Sequence, residues 1–482
     1  MGGARERRAD AAAGNRDGLG PVRRGLALLV AGGLFMEILD ATAIAPAAPH
    51  IAASLGVPAV AVNVAVTAYV LTLAVLIPIS GWLTERFGAR RIFMTAVAIF
   101  TLASAVCAAA ASMPMLTATR VLQGVGGAMM VPVGRLVVLR TTAKPDLMKA
   151  IAYLTWPALV APVIAPAVGG ALSTYASWRW IFLINVPLGL VALVLASRLV
   201  PDVRGPDASQ LDWRGFGLTA VGVTALVVGI ETVGSAEPDY PVVAASVGLA
   251  GVALTAAVVY LLRVRRPLFD LRILRVATYR VTAFGGSVFR AVISAIPFLL
   301  PVFFQLGFGW TAAQAGVAVI ALFLGNIAVK PLTTPMMRRF GIRPVLLGAI
   351  STSAACLVGM AFLTAGTPLP LLVVVLALSG TVRSIGFSAY NSTAFADVEP
   401  ARMTKANALL STLQELGAGL GVAVGALLVR IGGPVARTIG LSDGGDEAFR
   451  VAFVLLAALL IVPAVEALRL SRTAGSAVTG RG

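Results

Sequence analysis

Two carboxylates stand three residues apart inside an otherwise apolar run, FMEILDATAIAPAAPH (35–50): Glu37 and Asp40. In hydrocarbon an ionised carboxylate is costly, so such a group faces a partner or a water-filled cavity and marks a route for protons or ions. On a helix the two positions are about 300° of turn apart, hence within about 60° of each other on one face. Like charges this close oppose one another, so at least one of the pair is expected to hold a proton until a partner arrives. The stretch LTATRVLQGVGGAMM (116–130) carries a matching cation, Arg120, with Gln123 at i+3 on the same helix face. A guanidinium keeps its charge, so at this depth Arg120 must meet a cavity or an acid, and Asp40 is the natural candidate.

Further along, Arg290, Lys330 and Arg383 interrupt apolar runs, against Glu415 as the one acid deep in that region. Arg290 and Arg383 are expected to line a cavity or to pair with Glu415. Lys330 lies nearer the end of its run, where a long side chain reaches interfacial water. Among the aromatics, Tyr69 and Trp156 are candidates for the wall of a substrate pocket, set against the commoner use of such rings in packing.

These residues need apolar elements to hold them. Of 482 residues, 58% are hydrophobic and only 12% charged, with a mean hydropathy of +0.92. That composition is too apolar for a soluble chain and points to an all-α polytopic membrane protein. The net charge of +17 does not suggest nucleic acid, because the arginines sit in short gaps between apolar runs rather than on one polar domain. Cys107 and Cys356 fall within apolar runs and read as small hydrophobes. His50 is the only histidine, which excludes a multi-histidine metal site. With no Walker-type phosphate loop, GxSxG motif or hydrophilic domain, neither an enzyme nor an ATP-driven pump is expected, and no cofactor.

Fourteen runs of about 20 residues are long enough to span. Six fall at roughly 25–45, 60–83, 92–111, 115–139, 150–172 and 180–200, and two at roughly 215–233 and 242–262. Six more fall at roughly 280–304, 313–335, 343–364, 370–393, 406–429 and 449–469. Of the 38 Lys and Arg, 29 lie on the side of the N-terminal tail, and only Arg179, Arg430, Arg437 and Arg450 on the other. The bias predicts both termini in the cytosol. The loop after the second run, GWLTERFGARR (81–91), repeats in TPMMRRFGIRP (334–344): Arg86-Phe87-Gly88-x-Arg90 aligns with Arg339-Phe340-Gly341-x-Arg343. The repeat predicts two six-helix halves, 25–200 and 280–470, related by a pseudo-two-fold axis along the membrane normal. Between them, 201–279 holds a linker and an inserted two-helix hairpin. Residues 1–24 and 471–482 read as loose cytosolic tails.

At these residues a resemblance becomes specific. GWLTERFGARR resembles the loop signature of the major facilitator superfamily, and LTATRVLQGVGGAMM its fourth-span pattern. APVIAPAVGGAL (161–172) resembles the antiporter signature, with Ala161 and Ala165 where glycine is usual. LDATAIAPAAP (39–49), WRWIFLINVPLG (178–189) and PLFDLRILR (267–275) are similar to segments of the fourteen-spanner drug:proton antiporter family, and the chain looks most like its MdtD-type bacterial multidrug-resistance subgroup. The resemblance implies a 6 + 2 + 6 major facilitator fold in the bacterial inner membrane. It implies proton coupling by Asp40 and Arg120; Glu37 belongs less strictly to that motif and is expected to face the cavity for a cation or a second proton. It implies gating loops at Gly81, Glu85, Arg86, Gly88 and Arg90 and at Arg339, Gly341 and Arg343. Pro162, Pro166, Gly169 and Gly170 form the expected hinge, and Gln123, Tyr69, Trp156, Arg290, Arg383 and Glu415 the expected substrate cavity. The expected function is proton-coupled export of hydrophobic, often cationic compounds by a monomer in the lipid bilayer. The alternative is export or flipping of an anionic amphiphile, motivated by Arg290, Lys330 and Arg383.

Overall fold

A computed structural model describes residues 24–142, 147–202, 211–233, 238–264, 267–399, 402–438 and 446–471. The tails expected at 1–24 and 471–482 lie almost wholly outside these residues. Among the described residues there is no β-strand, and fifteen helices form the frame. The first six are α1 (Arg24–Leu55), α2 (Asn63–Phe87), α3 (Ala89–Ala108), α4 (Met113–Thr141), α5 (Leu147–Tyr175) and α6 (Trp180–Leu199). Then come α7 (Trp213–Val233), α8 (Tyr240–Arg263), α9 (Ala277–Phe308), α10 (Ala312–Ala328) and α11 (Lys330–Phe340). The last are α12 (Ile342–Ala361), α13 (Leu369–Phe395), α14 (Met403–Thr438) and α15 (Glu447–Leu468).

Local chemistry starts several of these helices. Ser112 accepts from Met115 N at 3.4 Å, and Pro114 in the first turn of α4 gives up no needed donor. Thr311 and Gln314 form a reciprocal capping box at α10, with bonds of 3.2 and 2.9 Å. Asp239 caps α8 through Val242 N at 3.1 Å.

Among the described residues, twelve helices are long and apolar enough to cross a membrane, and α10 with α11 makes a thirteenth span if the bent pair is one. The bend is 49°. Pro331 explains it, since proline offers no N–H to the carbonyl of Ile327 and its ring crowds that oxygen. The single run expected at 313–335 is therefore two helices. In α5 the apolar part, Val160–Tyr175, is shorter than the expected 150–172.

The packing repeats as the sequence does. α1 crosses α5 and α9 crosses α14, each through a glycine with no room for a side chain. A Cβ on Gly169 would overlap the Ala43 carbonyl, and one on Gly421 the Ala291 carbonyl. α2 pairs with α4 as α10 pairs with α13. In both repeated loops the glycine takes positive φ, 89° at Gly88 and 86° at Gly341, a conformation that suits glycine alone.

The two halves meet along α5 and α10, where Gly170 abuts the Ala312 carbonyl. Ala313 N donates to Thr174 Oγ1 at 3.1 Å, and Gln305 Nε2 donates to the Pro46 carbonyl at 2.9 Å. Both bonds lie at the end of the molecule away from the repeated loops. α7 and α8 pack chiefly on each other. Asn63 on α2 clasps both oxygens of Glu231 on α7, at 3.0 and 2.9 Å.

Replacing Gly170 by Val should push α5 off α10 at a cost of about 1–3 kcal/mol. Thermal unfolding of the purified protein should show a clear drop for Gly170→Val. Gly32→Val, where an added Cβ meets nothing within 4 Å, should leave the midpoint unchanged.

Candidate functional site

Asp40 and Arg120 form an ion pair with neither side chain exposed at all (0% each). Five helices assemble it. Asp40 hangs from α1, and its Oδ2 accepts from Arg120 Nη1 of α4. Its Oδ1 accepts from Gln123 Nε2 at 2.9 Å and from Asn185 Nδ2 of α6 at 2.9 Å. Gln123 also donates to Ser104 Oγ of α3 at 2.8 Å and accepts from Arg120 at 2.5 Å. Arg120 Nε reaches the Ala65 carbonyl of α2 at 3.5 Å, and its guanidinium carbon lies 4.1 Å from the centre of the Tyr69 ring. The Tyr69 face thus adds cation–π attraction where water is excluded. The i, i+3 spacing of Arg120 and Gln123 puts both on one side of α4, where they grip the same carboxylate.

Glu37 does not join this pair. The 60° between the two acids separates their surroundings: Asp40 turns into the first half, while Glu37 has Glu415 of α14 as its strongest charged neighbour and Asp40 only after it. Glu37 Oε2 is enclosed and has no hydrogen-bond partner.

Between the halves lies a cavity of about 310 Å³, lined by α1, α2 and α5 on one side and by α9, α10, α13 and α14 on the other. Arg290 and Arg383 both line it. Arg290 Nε and Arg383 Nη1 have no hydrogen-bond partner. Glu415 is a charged neighbour of Arg290, yet no ion pair joins them among the described residues. Lys330 Nζ approaches Ser388 Oγ at 3.4 Å instead. A larger cleft of about 690 Å³ between α7, α9, α14 and α15 is walled almost wholly by leucine, valine and alanine. With no charged group on its wall it offers packing but no chemistry, so the smaller cavity is the candidate site.

Gln123 and Tyr69, expected in the substrate cavity, are buried in the Asp40 network instead. Arg120 demands hydrogen-bond acceptors and a ring face, and these two supply them. Trp156 lies on α5, with its side chain outside the described residues. Of the expected hinge, Pro162 lines the cavity and Pro166 offers its carbonyl to the close approach of Gly316. Gly169 and Gly170 set the two α5 crossings, and Ala161 and Ala165 are fully buried at 0% exposure.

In the first loop, Glu85 meets Arg140 of α4 at 3.4 Å, and Arg90 donates to the Ser197 carbonyl of α6. Arg86 lies 5.8 Å over Trp82, and Gly81 is exposed. In the second loop, Arg339 lies 5.5 Å over Phe340, and Arg343 is half-buried beside Gly341.

Sequence reasoning missed Asn185, Ser104 and Phe182, whose ring centre lies 5.8 Å from the Arg120 guanidinium carbon. Asn185 and Phe182 stood in the quoted WRWIFLINVPLG, where an asparagine inside an apolar span was a signal. Ser104 offered none, because serine is common in spans.

The model of the Major Facilitator Superfamily matches residues 30–396 and 282–478. The chain belongs to that superfamily, a class of transporters rather than enzymes whose members bind small-molecule substrates. Within it the chain goes with the MdtD-type multidrug resistance proteins, and it is a multi-pass protein of the inner membrane. It is 36% identical over 445 residues to the "Putative multidrug resistance protein MdtD" of Escherichia coli O6:H1, covering 90% of this chain and 92% of that one. To the protein of the same name from Cronobacter sakazakii it is 37% identical over 446 residues, covering 91% and 92%. Among solved structures, a D-xylose-proton symporter superposes with a TM-score of 0.65 at 15% identity, over 94% of this chain and 98% of that one. A bacterial homolog of the human lysosomal transporter Spinster, inward-facing and unoccupied, gives 0.62 at 19% identity, over 95% and 99%. At such identities these two show a shared fold.

Removing one member of the buried pair should cost about 3–5 kcal/mol, because the other charge is left without a partner. Asp40→Asn and Arg120→Gln should each lower the unfolding midpoint strongly. The double variant should be less destabilised than the two single effects added together, which a double-mutant cycle on the purified protein would read out.

Proposed function

We propose that this protein is a proton-coupled exporter of hydrophobic compounds working by alternating access. The observation that carries the reading is the enclosed, unpartnered Glu37 Oε2 on α1, an acid that has Glu415 of the other half and Asp40 as charged neighbours. Separation of the halves removes the like-charged neighbour and admits water, so the pair can take up a proton in one arrangement and release it in the other. Facing inward, the protein binds substrate with an acid ionised. Facing outward, the acid takes a proton and the substrate leaves, and the return of the proton drives the reset. The multidrug resistance proteins that match over nine-tenths of the chain support export as the direction.

In this reading the membrane carries fourteen spans, with α5 as one and the broken α10–α11 as another. Both termini are cytosolic, as the Lys and Arg bias supports. The halves are 25–200 and 280–470, the insert is 201–279, and a monomer does the work. The α5 crossings at Gly169 and Gly170 serve as the hinge. The loops around Glu85, Arg86, Gly88 and Arg90 and around Arg339, Gly341 and Arg343 steady helix ends during rocking. From the sequence Glu37 is expected to face the cavity for a cation or a second proton, and Glu415 to belong to the cavity, but neither lines it. The charges that do line it are Arg290 and Arg383.

In everted membrane vesicles, accumulation of a lipophilic test compound should follow an inside-acid pH gradient and collapse on adding an uncoupler. Glu37→Gln and Glu415→Gln should lower the gradient-driven component at least about tenfold. Accumulation that survives the uncoupler would sink the proposal.

A further inference from the structure

We infer that the cavity between the halves is an anion site, built to hold the carboxylate, or a similar oxyanion, of a compact aromatic or apolar compound. The inference rests on the exporter reading for its biological meaning, though not for its geometry.

Arg290 and Arg383 approach the cavity from α9 and α13, each with an N–H that finds no acceptor in the protein. An unmet donor on a charged group away from water is expensive, and an oxyanion is the ligand that meets two guanidinium donors at once. The groups around them do not neutralise the site. Phe387 lies under Arg290 at 5.0 Å and near Lys330 at 6.0 Å, and Phe323 lies 5.8 Å from Arg383. Ring faces soften a cation's charge but offer its N–H groups no lone pair in the plane where the donors point. Lys330 adds to the same field, being a charged neighbour of Arg383. Among the described residues Glu415 is the one acid that is a charged neighbour of this cluster, through Arg290, and Glu37 is in turn its neighbour. One acid against three cations leaves the cluster positive.

The rest of the wall selects the body of the ligand. Ile38, Val66, Val70, Pro297, Phe298 and Val422 are apolar, and Thr42 and Ser294 add hydroxyls. At about 310 Å³ the cavity stands at the small end of ligand pockets. It suits a fused bicyclic ring with one anionic group better than a long-chain lipid. The stem of Arg290 packs on Gly417 of α14 in the same half, 3.3 Å from where a Cβ would stand, which holds the guanidinium toward the cavity.

Calorimetry on the purified full chain in lipid nanodiscs would compare 2-naphthoate with 2-naphthylmethylammonium, two probes with the same ring body and opposite charge. The naphthoate should bind at least about tenfold more tightly. Arg290→Gln and Arg383→Gln should each weaken naphthoate about tenfold or more and leave the ammonium probe unaffected or tighter. Arg383→Lys should restore part of the loss, which a merely structural role for the arginine would not produce. Equal or tighter binding of the ammonium probe, naphthoate binding indifferent to both arginines, or no binding of either probe would each overturn the inference. A chain that moves cationic dyes on a pH gradient yet ignores naphthoate would keep the exporter reading and lose this one. Naphthoate binding without any gradient-driven flux would do the reverse.

Discussion

One ion pair without access to water holds the first half of this protein together. Asp40 and Arg120 are both fully buried, and a buried pair stabilises only if the remaining lone pairs and protons are met. Here they largely are. Three donors converge on Asp40 from two other helices, and Gln123 and Ser104 close the ring between α4 and α3. The network ties α1, α3, α4 and α6 together through side-chain hydrogen bonds. In the proposed cycle a half rocks without deforming and needs such a bond, which hydrophobic contact does not supply inside a bilayer, where lipid tails are as apolar as leucine.

The second half handles charge in the opposite way. Arg290 and Arg383 are half-buried and have no acid within ion-pair distance among the described residues. Their guanidiniums lie against phenylalanine faces and an internal void. Charge that is satisfied within the fold serves the fold, whereas charge left open to a cavity is available to something else. The asymmetry between the halves therefore says more about where small molecules act than the size of any cavity does. The larger, almost wholly apolar cleft beside α7 has no such unmet group.

Much of this was legible in the sequence. The spacing of apolar runs placed nearly all the helices, and the repeated Arg-Phe-Gly-x-Arg identified two loops whose glycines share one positive-φ conformation. Arg120 and Asp40 could be paired from burial and charge together with the family resemblance. The bend at Val329 was less visible, although Pro331 stood in plain view, because proline is common in spans and does not always break one. The helix-wheel angle put Glu37 beside Asp40 but could not tell that a neighbour from α14, almost 380 residues away in sequence, would claim it. Tyr69 and Gln123 were read as cavity residues because aromatic and amide side chains suit a ligand. They suit a buried guanidinium equally well, and only the tertiary arrangement chose between the two.

Tyr69 shows how the two regions connect. Its ring carries Arg120 at 4.1 Å, while its hydroxyl has no hydrogen-bond partner. Glu37, Asp40, Arg120 and Glu415 are all charged neighbours of that phenol. The residue therefore stands where the closed network of the first half meets the acids at the junction. Asp40 is sealed by its donors and faces away from the cavity. Proton exchange at Asp40 would require breaking several bonds at once, whereas Glu37 has an oxygen with nothing to break. In the proposed cycle the mobile proton thus belongs to Glu37 and Glu415, and Asp40 with Arg120 supplies the fixed frame against which their field changes.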